Sequence, residues 1–302
     1  MKHFVIKTLL FLVIVAAADF LFGWMMDGVL RGTMKGDWGR NNYIFSGVRS
    51  DVIILGSSRA IHHYDPQILS DTLGLTCYNC GEDGMGILLM YARYRAIRER
   101  YVPRLVIYEV LPEYDLQEES DNLKYLKFLR PYYGMASIEK VVTDISSLEP
   151  FKLLSRMYCY NSVFIDIVAQ NISKSPQTAE EYTYFPLEKQ MQKEPKNNTN
   201  DLSVPCDPLK LIYLKDIIIQ CMNDGTSLVF IASPIYKPST DTGYTPLKEL
   251  CHDYGVPFIN HYCDARFCNN PAFFADGGHL NRTGAELFTT LAASEIKNSI
   301  EK

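Results

Sequence analysis

No long run of lysine and arginine interrupts this chain, and its formal net charge is −5 over 302 residues. A nucleic-acid partner, which needs a basic face to neutralise phosphates, is therefore not expected. No period of about 20–50 residues recurs, which argues against solenoids and propellers. Only one C-x-x-C is present, Cys77 to Cys80, and no second follows it, so a four-ligand zinc site has little support. The other cysteines are Cys159, Cys206, Cys221, Cys251, Cys263 and Cys268. Two of the last three could pair outside the cytoplasm, although buried thiols are the commoner outcome and spacing does not fix connectivity. What remains is an ordinary globular balance, 47% hydrophobic and 22% charged, long enough for one large domain or two small ones.

The N-terminus departs from that balance. A basic lead, Met1 to Lys7, precedes ten unbroken apolar residues, Leu9 to Ala18. After Asp19 the apolar character resumes from Phe20 to Met26. Residues 4–26 span roughly 35 Å as helix, enough for a hydrocarbon core of about 30 Å. A cleaved signal peptide would end near Ala16-Ala17-Ala18. An uncleaved signal anchor uses Phe20 to Met26 as well, and it is the preferred reading over a buried core helix. The leading lysines place the N-terminus in the cytoplasm and the rest of the chain in the periplasm or outside the cell. Asp19 is expensive deep in lipid; it is expected near the outer interface, or at the end of a cleaved peptide. Asp27 to Ser50 is Gly-rich and polar and reads as a stalk.

From Asp51 strands and helices alternate. Val52–Leu55, Thr76–Asn79, Leu105–Val110, Ser227–Ala232 and Pro257–Asn260 read as strands. Pro66–Leu73, Ile87–Tyr101, Pro208–Met222, Pro246–Tyr254 and Thr283–Asn298 read as helices. This order predicts an α/β, flavodoxin-like three-layer sandwich around a parallel sheet. Residues 116–205 break the pattern and read as an insertion in the 51–302 domain. Its aromatics, Tyr125, Phe128, Tyr132, Tyr133, Phe151, Tyr158, Tyr160, Phe164, Tyr182, Tyr184 and Phe185, are core packing or a substrate wall. Helical patches are expected at Ile138–Ile145 and Val163–Ile172, and Lys193 to Asn200 reads as a mobile loop.

Two segments carry chemistry. In Gly56-Ser57-Ser58-Arg59 a serine follows the first strand through a glycine turn, at the sheet edge where α/β proteins gather ligands. In Asp276-Gly-Gly-His279 a carboxylate and an imidazole stand just ahead of the last helix. A serine hydroxyl needs a base, and the base needs an orienting acid. Taken alone, each segment more often means a turn, a helix cap or a loop pair; their joint placement favours a site. His62 and His63 follow Ser58 too closely to face it and read as surface or rim residues. No metal or cofactor is called for.

These residues resemble the SGNH, or GDSL-type, hydrolases over about 51–115 and 207–298. Gly56-Ser57-Ser58 is similar to the first motif, which makes Ser58 the nucleophile, its own amide an oxyanion donor, and Ser57 and Arg59 its neighbours at the site. Asn79 with Gly84 is similar to the second, with the Gly84 amide as the second donor. Asp276, His279 and Asn281 are similar to the last, with Asp276 orienting His279. The third motif, Gly-x-Asn-Asp, is not matched: Glu113 falls at the place of its asparagine, and an ionised glutamate cannot donate to an oxyanion. The layout resembles membrane-anchored proteins of lipoteichoic-acid D-alanylation and exopolysaccharide O-acetylation. The resemblance implies an esterase or O-acyltransferase on acylated envelope glycans, alongside a membrane acyltransferase partner. Alternatively the fold, catalytically weak or inactive, serves as a binding partner in envelope polysaccharide assembly. A lipase would need an exposed apolar groove.

Overall fold

The computed structural model describes residues 1–119, 121–172, 178–180, 183–193 and 205–300. They fall into two compact units, Met1–Gly47 with Asp121–Tyr182, and Val48–Ser120 with Thr183–Lys302.

The second unit is built on five short strands: β1 (Val52–Gly56), β2 (Cys77–Asn79), β3 (Leu105–Glu109), β4 (Ser227–Ala232) and β5 (Phe258–Asn260). All pairings are parallel, in the order β2-β1-β3-β4-β5. This is the doubly wound order whose switch point lies beside β1, between β1 and β3. β1 and β3 are buried along their whole length, as a sheet covered on both faces requires. Val52, Ile54, Leu105, Ile107, Val229 and Ile231 pack with Phe288, Ala292 and Ile296 of the helix Arg282–Ile300. Ile53, Leu55, Val106 and Tyr108 point the other way and are equally buried. Each such side chain removed from water contributes about 1.5–3 kcal/mol.

Helix ends in this unit follow local chemistry. Asp65 accepts from the Gln67 amide at 2.8 Å and Gly74 closes the helix Pro66–Leu73 in the left-handed region. Asp207 and Gly225 do the same for Pro208–Asp224. The chain leaves and re-enters the unit through backbone bonds, Glu118 N to Pro205 O at 2.9 Å and Asp207 N to Leu116 O at 2.8 Å.

The first unit is helical. The N-terminal helix runs from Lys2 to Gly32, and Gly36–Ser46 forms a second helix. Residues 27–50, expected as a stalk, are thus largely helical, and Trp38, Ile44 and Phe45 are buried. Trp38 stacks near Phe128 and Phe45 near Tyr132, at 5.9 and 4.5 Å between ring centres. The helical patches expected further on appear as Ala136–Ile145 and Phe164–Asn171. Tyr182 and most of the Lys193–Asn200 loop lie outside the described residues.

Among the described residues the N-terminal helix is the one helix long and apolar enough to cross a bilayer, and its most apolar stretch is not buried in the protein. All eight cysteines are free thiols, Cys251, Cys263 and Cys268 included.

Candidate active site

β1 ends in Gly56, whose φ of 137° lies in the region that favours glycine. A Cβ there would sit 2.3 Å from the Glu109 carbonyl oxygen, so the turn requires glycine for space as well. The chain then enters the short helix Ser58–His63, and Ser58, its first residue, is partly exposed. Its amide belongs to a first helical turn, where N–H groups have no intrahelical acceptor.

The second segment organises itself. Asp276 Oδ1 accepts from the amides of Gly278 and His279, at 2.9 and 3.0 Å, and from His279 Nδ1 at 2.9 Å. Asn281 Oδ1 caps the last helix through the Gly284 amide at 3.0 Å, while its Nδ2 donates to the Ala272 carbonyl at 2.8 Å. Because Nδ1–H donates to Asp276, Nε2 of His279 is left as an acceptor. Ser58 Oγ lies 2.8 Å from it. Hydroxyl, imidazole and carboxylate, spread over 221 positions of sequence, thus form one chain of two hydrogen bonds.

Burial works against the Asp276 charge, but the bonds from His279 and the two amides outweigh it and hold the carboxyl at about 2. A depressed carboxyl stabilises the fold above its ordinary value of 3.8, and that contribution fades as pH falls towards 2. Asp276 therefore stays ionised at neutral pH and can stabilise an imidazolium.

The other expected residues take different places. Asn79 is buried; its Nδ2 donates to the Ala60 carbonyl at 2.7 Å and its Oδ1 accepts from the Gly81 amide at 3.0 Å. It fixes the turn that leads to Gly84, which has a left-handed φ of 67°. Ser57 is fully buried, and its Oγ has no partner among the described residues. Arg59 is also buried, its guanidinium 5.5 Å above the Tyr262 ring. Neither side chain is open to a substrate. Glu113 stands exposed on the short helix Pro112–Asp115.

His62 and His63 correct the surface reading. His62 is mostly covered; Nε2 pairs with Asp83 at 3.1 Å and Nδ1 meets the Phe185 carbonyl at 2.6 Å. Burial lowers its pKa, but these two partners more than reverse the effect, so it is raised. The pair ties the loop before Gly84 to the helix that begins at Ser58. His63 is completely buried. Its Nε2 accepts from the Leu280 amide at 2.9 Å, one residue beyond His279, so its Nδ1 carries the proton and donates to Ser233 Oγ at 2.8 Å. Burial, with His279 and Arg59 nearby, drives its pKa well down and keeps it neutral.

The end of that chain is a residue the sequence did not mark. Glu109, the last residue of β3, is fully buried. Its Oε1 accepts from Ser233 Oγ at 2.6 Å and from the Ser233 amide at 3.0 Å, and Tyr64 donates to Oε2. Burial raises its pKa against the pull of Arg59, Ser233 and Tyr64. This network, from Glu109 through Ser233 and His63 to the Leu280 amide, braces the floor beneath the His279 loop. Glu109→Ala would leave three donors without their acceptor and should destabilise the chain by about 4 kcal/mol. A Tm drop of about 10 °C for Glu109→Ala, with a much smaller one for Glu109→Gln, is the expected calorimetric result.

No family model matches this sequence, and no curated protein matches it. Among solved structures, a proposed acylhydrolase from Bacteroides fragilis shares 11% identity with a TM-score of 0.39, over 82% of this chain and 87% of the other. A proposed lipolytic protein of the G-D-S-L family from Desulfitobacterium hafniense shares 10%, with a TM-score of 0.38, over 81% and 98%. A proposed platelet activating factor from Streptococcus pneumonia shares 12%, with a TM-score of 0.42, over 94% and 99%. Likeness at this level carries no functional argument; sheet order and side-chain geometry are independent of it.

Proposed function

We propose that this chain is a membrane-anchored serine ester hydrolase or O-acyltransferase of the SGNH type. The observation that carries this reading is the Ser58–His279–Asp276 hydrogen-bond chain at the carboxyl end of β1. Ser58 Oγ attacks an acyl carbonyl while His279 Nε2 takes its proton. The oxyanion is held by the amides of Ser58 and Gly84. As the tetrahedral adduct collapses, His279 returns the proton to the departing alcohol and the acyl group stays on Ser58. Water, or a second hydroxyl, then attacks that ester with His279 again as base. His279 and Asp276 are both partly exposed, which suits an acyl group carried on a large molecule.

The N-terminal helix supports an anchored domain outside the cytoplasm, with the N-terminus inside. Its substrates are then acyl groups on cell-envelope glycans, and a membrane acyltransferase is the matching partner when transfer rather than hydrolysis is the outcome. Purified full-length protein should release acetate from a small acetyl ester and from an acetylated envelope polysaccharide. Absence of release from either would count against turnover.

Glu113 favours a second reading. By its position in the sequence, Glu113 falls where the third motif of the resembled family carries its oxyanion-donating asparagine, and losing one such donor costs about 3 kcal/mol of transition-state stabilisation in related chemistry. A chain that kept the fold as a binding surface would tolerate this change. It would bind acylated glycan without consuming it.

A further inference from the structure

Asp19 interrupts the apolar N-terminal helix, yet it is not left bare. Ser155 Oγ donates to Oδ1 at 2.5 Å, the Arg156 amide to Oδ2 at 2.7 Å and the Met157 amide to Oδ1 at 2.9 Å. These contacts fix the depth of residues 155–157. If the hydrocarbon begins between Phe4 and Thr8, a core of about 30 Å places Asp19 roughly 7–13 Å inside its outer boundary. The segment that satisfies Asp19 must lie at that depth too.

The rest of the segment climbs beside the same helix. Phe164 meets Phe22 at 6.1 Å between ring centres, and Asn171 Nδ2 donates to the Val29 carbonyl at 3.1 Å. Gly23 allows close approach, since a Cβ there would fall 2.3 Å from Arg156 Cβ. The large side chains this segment turns outward are mostly apolar: Phe151 is 71% exposed, Leu154 80%, Ile165 67% and Ile172 74%, with Lys152, Asn161, Ser162, Asp166 and Asn171 exposed among them. On the helix Phe164–Asn171, Phe164, Ile165 and Val168 share one outward stripe, continued by Ile172, while Ile167 is buried. At about 100° per residue, Asp166 falls to the side of that stripe. The remaining charges are engaged: Glu149 pairs with Arg130 at 2.9 Å and Lys152 at 2.8 Å, and Arg156 reaches up to Asp27 at 2.5 Å. That upward reach brings its guanidinium towards the interface.

We propose that residues 149–172 are a second membrane element, seated in the outer leaflet against the N-terminal helix with the stripe Phe164, Ile165, Val168 and Ile172 in lipid. The inference rests on that helix spanning the bilayer, as proposed above. It commits to lipid rather than protein because the Asp19 bonds set the depth. The carboxylate is then a structural tie between two membrane elements, and the unit that carries it is an interfacial platform.

The test uses the full chain in phosphatidylcholine vesicles whose acyl chains carry bromine near their midpoint, which quenches nearby tryptophan. Ile165→Trp and Asp166→Trp each add emission to the parent, and Trp24→Phe isolates the signal of the exposed Trp24 on the N-terminal helix. The expected result is strong quenching of the Trp24 signal, and quenching at least twofold greater for Ile165→Trp than for Asp166→Trp. Quenched Trp24 with equal quenching for the two variants would overturn the second membrane element while leaving the span intact. Unquenched Trp24 would overturn the span, and the inference with it.

Discussion

Ser58→Ala should abolish ester turnover while leaving the fold intact. Ser58 Oγ bonds His279 Nε2 and sits at a partly exposed helix start. Removing it empties no core space, so stability should move by less than about 1 kcal/mol. Where a serine works through a paired base, its loss lowers kcat by about 10⁶-fold. The residue of rate comes from oxyanion donors and substrate binding, which the variant keeps. Steady-state release of acetate, read with a melting curve on the same sample, separates the two effects. Full activity in a folded variant would remove Ser58 from the mechanism; a variant that fails to melt cooperatively would show that the hydroxyl holds the turn.

Asp276→Asn should lower kcat by about 10⁴-fold with KM little changed. The amide oxygen can still accept from Gly278 and His279, so the loop keeps its shape. The same oxygen faces His279 Nδ1, so what the variant loses is the negative charge that stabilises the imidazolium formed when His279 takes the Ser58 proton. The variant also loses a carboxyl held at about 2, so the acid limb of its stability curve should flatten between pH 3.8 and 2. A small loss of kcat with the acid limb flattened all the same would mean that Asp276 is only a loop cap.

Much of this arrangement was legible in the chain. Apolar runs bounded by Gly and Pro gave the strands, and the helix expected over Pro208–Met222 forms as Pro208–Asp224, because these signals act locally. Ser58, Asp276 and His279 stood out since each adjoins a turn at an element boundary. The buried floor did not stand out. Glu109 closes a run of apolar residues and looks like the polar end of a strand; its partners Ser233 and Tyr64 lie 124 and 45 positions away. His63 looks like a rim residue because nothing local says that Leu280 will meet it. The helix Gly36–Ser46 was hidden by its glycines, which count against helix by propensity. Gly39 is there for space: a Cβ would lie 2.4 Å from the Met34 carbonyl carbon.

One measurement bears most directly on the central claim. The full-length protein is treated with a fluorophosphonate, which phosphonylates only a serine made nucleophilic by its surroundings, and is then digested and mapped by mass spectrometry. A single adduct on the peptide that carries Ser58, absent from a sample in which Asp276→Asn has disabled the base, is the predicted outcome. An unmodified Ser58, or an adduct on another serine, would contradict the account.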